Sequence, residues 1–277
     1  LNKLINIRAK LFDLSVPKVM GILNTSPDSF FEGSRSLSRS SINARIDKMI
    51  ASGVDIIDIG GYSSRPGADN ISVDEEISRI RTALEIVSRN YPQQLVSLDT
   101  FRSEVARFGI EEFGVDIIND ISGGMLDKNM FSLIAEKNVP YILMHMQGSP
   151  ETMQNNPVYD NIINDLILWF TERIEKLTSL GVNDIIIDPG FGFGKSIDHN
   201  YNLIRDLDKF EILERPVLVG MSRKSMVWKV LDKSPEDSLS GTIVLNTLAL
   251  SKGANIIRVH DVDEAVDTVK IFIRSCD

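Results

Sequence analysis

Cysteine is almost missing from this chain: there is one in 277 residues, Cys276. A disulfide framework within the chain is thereby excluded. Positive charge is also short, with 30 Lys and Arg against 39 Asp and Glu and a net charge of −9. Nucleic-acid surfaces draw their affinity from clustered Lys and Arg, so no nucleic-acid partner is expected, although a small anion bound locally remains compatible. No run of about 18 apolar residues is available to span a bilayer, and residues 1–8 lack the long apolar region of a secretory signal. The expected setting is the cytoplasm, with no membrane partner. The chain also lacks a Pro/Gly/Ser-rich linker, a low-complexity tract and an internal repeat. Residues 1–277 are therefore expected to form one domain, at a length that buries roughly three quarters of the unfolded surface.

What the chain does have is eight short apolar runs, each with a polar or charged ending. Residues 19–24 end on Asn24, 56–58 on Asp58, 95–99 on Asp99, 115–120 on Asp120, 141–145 on His145, 185–188 on Asp188, 217–223 on Arg223 and 256–260 on His260. A buried strand does not readily hold so many carboxylates, amides and bases, so they belong where strands surface, on one common rim. Between the runs, residues 73–90, 102–113, 161–180, 239–252 and 262–274 show helical spacing. Ile77, Ile80, Leu84 and Val87 form one stripe, and Leu166, Phe170, Ile174 and Leu177 another. Gly53, Gly114, Gly181 and Gly253 follow helical stretches and precede apolar runs, where left-handed caps are favoured.

Alternating βα units imply parallel strands with right-handed crossovers, and eight of them in about 250 residues match a TIM (β/α)8 barrel. The competing fold is a doubly wound sheet. For a dinucleotide it would need a Gly-x-Gly-x-x-Gly turn, but Asn24-Thr-Ser-Pro-Asp28 follows the first strand. Residues 1–12, with Leu4, Ile5, Ile7, Leu11 and Phe12, are expected to add a strand or hairpin that closes the barrel's N-terminal end.

In such a barrel the C-terminal ends of the strands converge on one mouth. Asp99 and Asp188, with the amide of Asn119, suit a flat heterocycle bearing in-plane N–H groups, because a carboxylate accepts two parallel N–H bonds. Two acids suit a glycosidase pair or a metal site equally well, or one of them caps a helix, and residue types alone do not choose. Residues 188–195, Asp-Pro-Gly-Phe-Gly-Phe-Gly-Lys, are the most specific stretch in the chain. Its glycines admit close backbone approach, and Phe191 and Phe193 either wall a planar ring or pack on the barrel. The spacing from Gly190 to Gly194 is one residue short of a phosphate-binding P-loop.

Arg223, Lys224, Arg258 and His260 fall after the seventh and eighth runs, where TIM barrels bind phosphate, and Ser225 begins a short helix whose N-terminus favours an anion. Together with Asn24 they point to a di-anionic or larger group held with a divalent ion, since Mg²⁺ needs few protein ligands. The alternative for Arg258 and His260 is a surface ion pair with Asp261 or Asp263. His145 reads as a packing residue, and His199 as a solvated residue at a helix start. Residues 26–33, with Phe30, and residues 60–67, with Arg65 and Pro66, are rich in Gly, Ser and Pro and read as mobile covers.

The stretches 20–30, 58–67, 188–195, 222–225 and 258–260 together resemble, in order, the signatures of the dihydropteroate synthases, the folate-pathway enzymes inhibited by sulfonamides. The resemblance covers about residues 16–273. It implies a TIM barrel, usually a homodimer, that joins 4-aminobenzoate to (7,8-dihydropterin-6-yl)methyl diphosphate. It further implies Asp99, Asn119, Asp188, Lys224 and Met144 as pterin contacts, and Asn24 as the residue holding Mg²⁺ against a diphosphate gripped by Arg258 and His260. Phe30, Ser64, Arg65, Pro66, Phe193, Lys224 and Ser225 would border the aminobenzoate. This chain has Tyr62-Ser-Ser-Arg-Pro66 where the family usually has Glu-Ser-Thr-Arg-Pro. A pterin-dependent methyltransferase would share the barrel and the acids but needs no diphosphate grip, so residues 222–225 and 258–260 favour the synthase. A non-catalytic member would be expected to have lost Asn24, Lys224, Arg258 or His260, and all four are present.

Overall fold

Gly53, Gly114, Gly181 and Gly253 take φ of +88°, +65°, +90° and +91°, the left-handed backbone expected where a helix stops before a strand. A Cβ at any of the four would meet nothing within 4 Å, so backbone conformation and not space selects glycine. The computed structural model describes residues 3–26, 38–63, 70–148, 153 and 157–276. The chain opens with a hairpin, β1 (Leu4–Ile7) and β2 (Lys10–Asp13), turned through Arg8 and Ala9 at φ +52° and +57°. Strands and helices then alternate as β3 (Lys18–Asn24), α1 (Arg39–Ala51), β4 (Ile56–Gly60), α2 (Val73–Asn90), β5 (Leu95–Asp99), α3 (Ser103–Phe113), β6 (Ile117–Asp120) and α4 (Met130–Lys137). They continue as β7 (Tyr141–Met144), α5 (Ile162–Ser179), β8 (Ile185–Asp188), α6 (Ile197–Arg205), a 3-10 helix (Leu207–Leu213), β9 (Leu218–Val219), α7 (Ser225–Trp228), α8 (Leu239–Ser251), β10 (Ile256–Val259) and α9 (Val262–Cys276).

Strands β3 to β10 form one parallel sheet in the order β8-β7-β6-β5-β4-β3-β10-β9. Its two edges meet through a parallel bridge between Ile187 and Val217, where the Ile187 amide donates to Pro216 O at 2.9 Å. The sheet thus closes into the expected barrel. The hairpin sits under it: Ile5, Ile7 and Leu14 pack with Met20, Ile56, Ile117, Ile142, Ile186, Leu218 and Ile256 in one buried cluster. Arg8 locks the plug in place, donating to both carboxylate oxygens of Asp116 and to the carbonyls of Pro92 and Gln94.

Side chains alternate along a strand, so residues two and four positions beyond that lower cluster also face the barrel axis. Two residues on stand Ile22, Asp58, Ser97, Asn119, Met144, Asp188, Gly220 and Arg258; four on stand Asn24, Gly60, Asp99, Ile121, Met146, Gly190, Ser222 and His260. The bottom layer is aliphatic, and the upper two hold the polar and charged groups together with Ile22, Ile121, Met144 and Met146. Between strands and helices lies a larger apolar shell that includes Ile80, Leu84 and Val87 of α2 and Leu166, Phe170 and Leu177 of α5, with Ile77 and Ile174 half-buried at its edge. Among the described residues no helix is long and apolar enough to cross a membrane.

Candidate active site

Asp58 is fully buried, yet its Oδ2 has two donors from across the barrel: Arg258 Nε at 2.6 Å and Asn119 Nδ2 at 3.1 Å. Arg258 Nη2 donates in turn to Asp99 Oδ2 at 2.6 Å. One guanidinium from β10 therefore bridges carboxylates on β4 and β5, strands that are not its neighbours. It can do so only because all three side chains point into the lumen. Two flanking carboxylates hold Arg258 firmly protonated against the desolvation that works the other way. Burial pushes the Asp99 carboxyl up to about 7, opposed by Arg258 and reinforced by Asp58, Glu76 and Asp120. Asp58 Oδ1 finds no partner among the described residues.

Asp188 ends β8 with its Oδ1 accepting from Gly190 N at 2.8 Å. Burial raises its pKa, and Lys224 is the strongest of the groups that pull it back. Lys224 stands at the N-cap of α7, where its Nζ donates to Phe191 O at 2.6 Å and lies 4.4 Å from the centre of the Phe193 ring. Desolvation lowers it to about 8, with Asp188 and Asp99 opposing and Arg258 assisting. At the same end of the barrel Met144, Met146, Met153 and Ile121 form a small apolar cluster with Phe101 and Phe193 against it. Methionine is an adaptable lining for a flat ring. Carboxylate, amide, amine and thioether thus share one mouth.

Ser222 Oγ accepts from His260 N at 3.2 Å and lies 3.1 Å from His260 Nδ1. The hydroxyl oxygen has two lone pairs, so the contact fits either tautomer; the one in which Nδ1 accepts the hydroxyl hydrogen leaves the ring proton on Nε2. Protein crowding around the base of the ring, with Arg258 close by, lowers this histidine to about 4. Asn24 and Asp99 flank Gly60: a Cβ placed there would lie 3.7 Å from Asn24 Oδ1 and 3.3 Å from Asp99 Cβ. Arg223, grouped with the cations on sequence, is instead engaged by Asp261 at 2.6 and 2.9 Å. Ser225 opens α7 and is exposed.

A family model described as pterin binding enzyme matches residues 20–260, which span β3 through His260 and therefore the whole mouth. The chain belongs to the pterin binding enzyme family. Dihydropteroate synthase of Escherichia coli K12 is 41% identical over 261 residues, covering 94% of this chain and 92% of that protein. The structure of Yersinia pestis dihydropteroate synthase in a sulfonamide drug complex superimposes with a TM-score of 0.93 at 37% identity, over 99% of each chain. That of Xanthomonas albilineans dihydropteroate synthase with 4-aminobenzoic acid gives 0.90 at 32% identity, over 99% of this chain and 98% of that one.

Within this pterin binding enzyme, Asn24, Asp99, Asn119, Met144, Asp188, Phe193, Lys224, Arg258 and His260 all lie on inward strand positions or on the loops that rise from them. Phe30, Ser64, Arg65 and Pro66 lie outside the described residues. Tyr62, which with Ser64 departs from the family pattern, packs edge-on against Phe101 with ring centroids 5.0 Å apart, and Arg102 lies 5.4 Å from its ring. Sequence reasoning missed Asp58 as a site residue although its run ended there, and it missed Met146. It also passed over Lys195, whose buried amine no pattern of apolar spacing reveals.

Proposed function

We infer that this chain condenses (7,8-dihydropterin-6-yl)methyl diphosphate with 4-aminobenzoate, giving 7,8-dihydropteroate and diphosphate, as a dihydropteroate synthase in folate synthesis. One observation carries the reading. Acceptors suited to a flat N–H-bearing ring, Asp99 and Asp188 with Asn119, share a single mouth with the donors Lys224, Arg258 and His260. Asp99, Asn119 and Asp188 are proposed to bond the pterin, Lys224 to bond it from the side and Met144 to floor it. Arg258 and His260 would hold the diphosphate. Phe193, Lys224 and Ser225 would border the aminobenzoate, as would Phe30, Ser64, Arg65 and Pro66.

In the proposed reaction the bond from the exocyclic methylene carbon to the diphosphate oxygen breaks, and its electron pair leaves with the diphosphate. Arg258 and the Nε2 proton of His260 stabilise that charge as it develops. The positive charge left on carbon spreads into the pterin beside Asp99 and Asp188. The aminobenzoate nitrogen then forms the new C–N bond and releases its proton to solvent. No protein nucleophile is required. Mg²⁺ is proposed at Asn24 Oδ1. The fit rests on chemistry: among the described residues no three His, Cys, Asp or Glu side chains gather as a cage, and a hard ion with one neutral oxygen completes its shell from phosphate and water. When bound, Mg²⁺ would add positive charge at the leaving group. A homodimer in the cytoplasm is the proposed working form, and the outer face of α8 supports the dimer by leaving Val244 and Leu248 exposed.

The test is to mix the protein with Mg²⁺, the pterin diphosphate and 4-aminobenzoate, and to follow dihydropteroate and diphosphate together. Equal release of both products is expected, with Asp188→Asn losing at least about 100-fold in turnover, the scale of removing one preorganised electrostatic partner. Absence of dihydropteroate, or wild-type turnover and pterin affinity in Asp188→Asn, would sink the assignment.

A further inference from the structure

Lys195 is 4% exposed, and among the described residues it forms no ion pair, Asp188 acting on it only at longer range. Its Nζ lies 3.0 Å from each of three polar atoms, Gly190 O, Phe193 O and His145 Nδ1, with His145 O further away at 3.3 Å. Burial lowers the pKa of this amine well below the usual lysine range, with Asp188 opposing, and in either protonation state its N–H bonds serve the two carbonyls while the third position meets His145 Nδ1. The two carbonyls belong to the loop after β8, and His145 belongs to the chain leaving β7. That loop has little freedom elsewhere. Gly192 N donates to Asn200 Oδ1 at 2.7 Å, Tyr159 Oη donates to Gly194 O at 2.8 Å, and a Cβ on Gly190 would overlap the carbonyl oxygen of His145.

The same loop seats Lys224 from below, through the Phe191 carbonyl and the Phe193 ring. We propose that Lys195 is a positioning residue: its buried amine ties the carbonyls of Gly190 and Phe193 to His145, and so fixes the seat from which Lys224 reaches the pterin and the aminobenzoate. The proposal deepens the functional reading given above and rests on it for the two substrates, but the seat itself is a property of the protein alone. His145 belongs to the same device. Its Nδ1 faces the Lys195 amine and the ring is wedged edge-on against Trp169, centroids 4.9 Å apart. Burial and the adjacent Lys195 lower its pKa to about 2, in keeping with a ring that stays neutral.

The test reads Lys224 directly. The charged groups around its amine are Asp188 of β8, Asp99 of β5 and Arg258 of β10, and Lys195 itself acts electrostatically on Lys224 and on Asp188, so loss of that charge alone would also raise Lys224. His145→Gln, which keeps the charge and loosens the seat, therefore decides between the two. In the unliganded full chain, the pH at which Lys224 becomes reactive toward an amine-acylating reagent is measured by peptide mapping for wild type, Lys195→Met and His145→Gln. Loss of the seat exposes Lys224 to water, so its midpoint should move up by one unit or more in Lys195→Met and by less in His145→Gln. In steady-state assays with Mg²⁺, Lys195→Met should raise the KM for 4-aminobenzoate about tenfold and that for the pterin diphosphate less than threefold. A residue that merely stabilises the fold would lower Tm and leave the Lys224 midpoint and the ratio of the two KM values in place, and that result would overturn the proposal. If Lys195→Met does not fold, His145→Gln decides it by the same midpoint. If the wild type makes no dihydropteroate, the functional reading falls while the acylation profile still answers for Lys195.

Discussion

Arg258 bridges two carboxylates, and that arrangement makes a residue-scale prediction. Removing one member of a buried pair leaves an uncompensated charge, at about 3–5 kcal/mol. Arg258→Met would strand Asp58, which is wholly buried and already has one unpartnered oxygen. A loss of that order is expected in urea unfolding, whereas Asp58→Asn, which keeps an acceptor for Arg258, should lose clearly less; equal losses would remove Asp58 as the anchor of the guanidinium. His145 sets a pH dependence. Its folded pKa, about 2, lies below the 6.5 of an ordinary histidine, so below pH 6.5 the unfolded chain takes up a proton that the folded one refuses. The histidine's contribution is complete above pH 6.5 and is lost as pH falls toward 2. Asp99, raised to about 7, acts with the opposite sign between its unfolded value and 7, so the two partly cancel there. The wild-type profile minus that of His145→Gln isolates the histidine, and unfolding free energies of the two should diverge as pH rises from 4 to 6.5, by no more than about 1.4 kcal/mol per pH unit. Parallel profiles would mean that His145 is already protonated in the fold.

Glycines separate two kinds of constraint at the scale of single elements. At Gly114 a Cβ meets nothing, so Gly114→Ala tests the left-handed cap of α3 alone, and a loss of about 1 kcal/mol is expected by thermal unfolding. At Gly190 the added carbon would strike backbone, so Gly190→Ala should disturb the loop and with it Lys224, at a cost well beyond the cap's. Similar losses at both sites would contradict the close approach of this loop to β7. Helix signals were legible for a related reason. The amphipathic stripe of α2 occupies the predicted residues 73–90 without adjustment, because spacing alone decides which face an isolated helix buries. Helices α1 and α4 were not called from the sequence; α4 runs for only eight residues, too short to establish a period.

On the scale of the whole molecule, α8 stands apart because none of its 13 residues is charged and apolar side chains lie on both its inner and its outer face. Its inner face packs through Leu245, Ala249 and Leu250, yet Val244 and Leu248, one turn apart, remain 57% and 47% exposed. A helix of this kind is normally covered on both sides. Leu248→Glu is therefore expected to shift the protein toward monomer in light scattering without unfolding it, and an unchanged mass would place any dimer contact elsewhere. The eight strands, five of the helices and the barrel they imply were settled by local pattern: apolar runs of strand length, stripes of helical period and glycines at the caps, all of which act over a few residues. The polar endings of those runs marked the rim as well. Only the closed barrel decided how they combine, setting Arg258 between Asp58 and Asp99, diverting Arg223 to Asp261 and burying Lys195 against His145. Those pairings join residues 38 to 200 positions apart, across a lumen whose geometry depends on strand tilt and register. No periodicity within a segment carries that information, because burial and charge compensation arise only when all eight strands are in place.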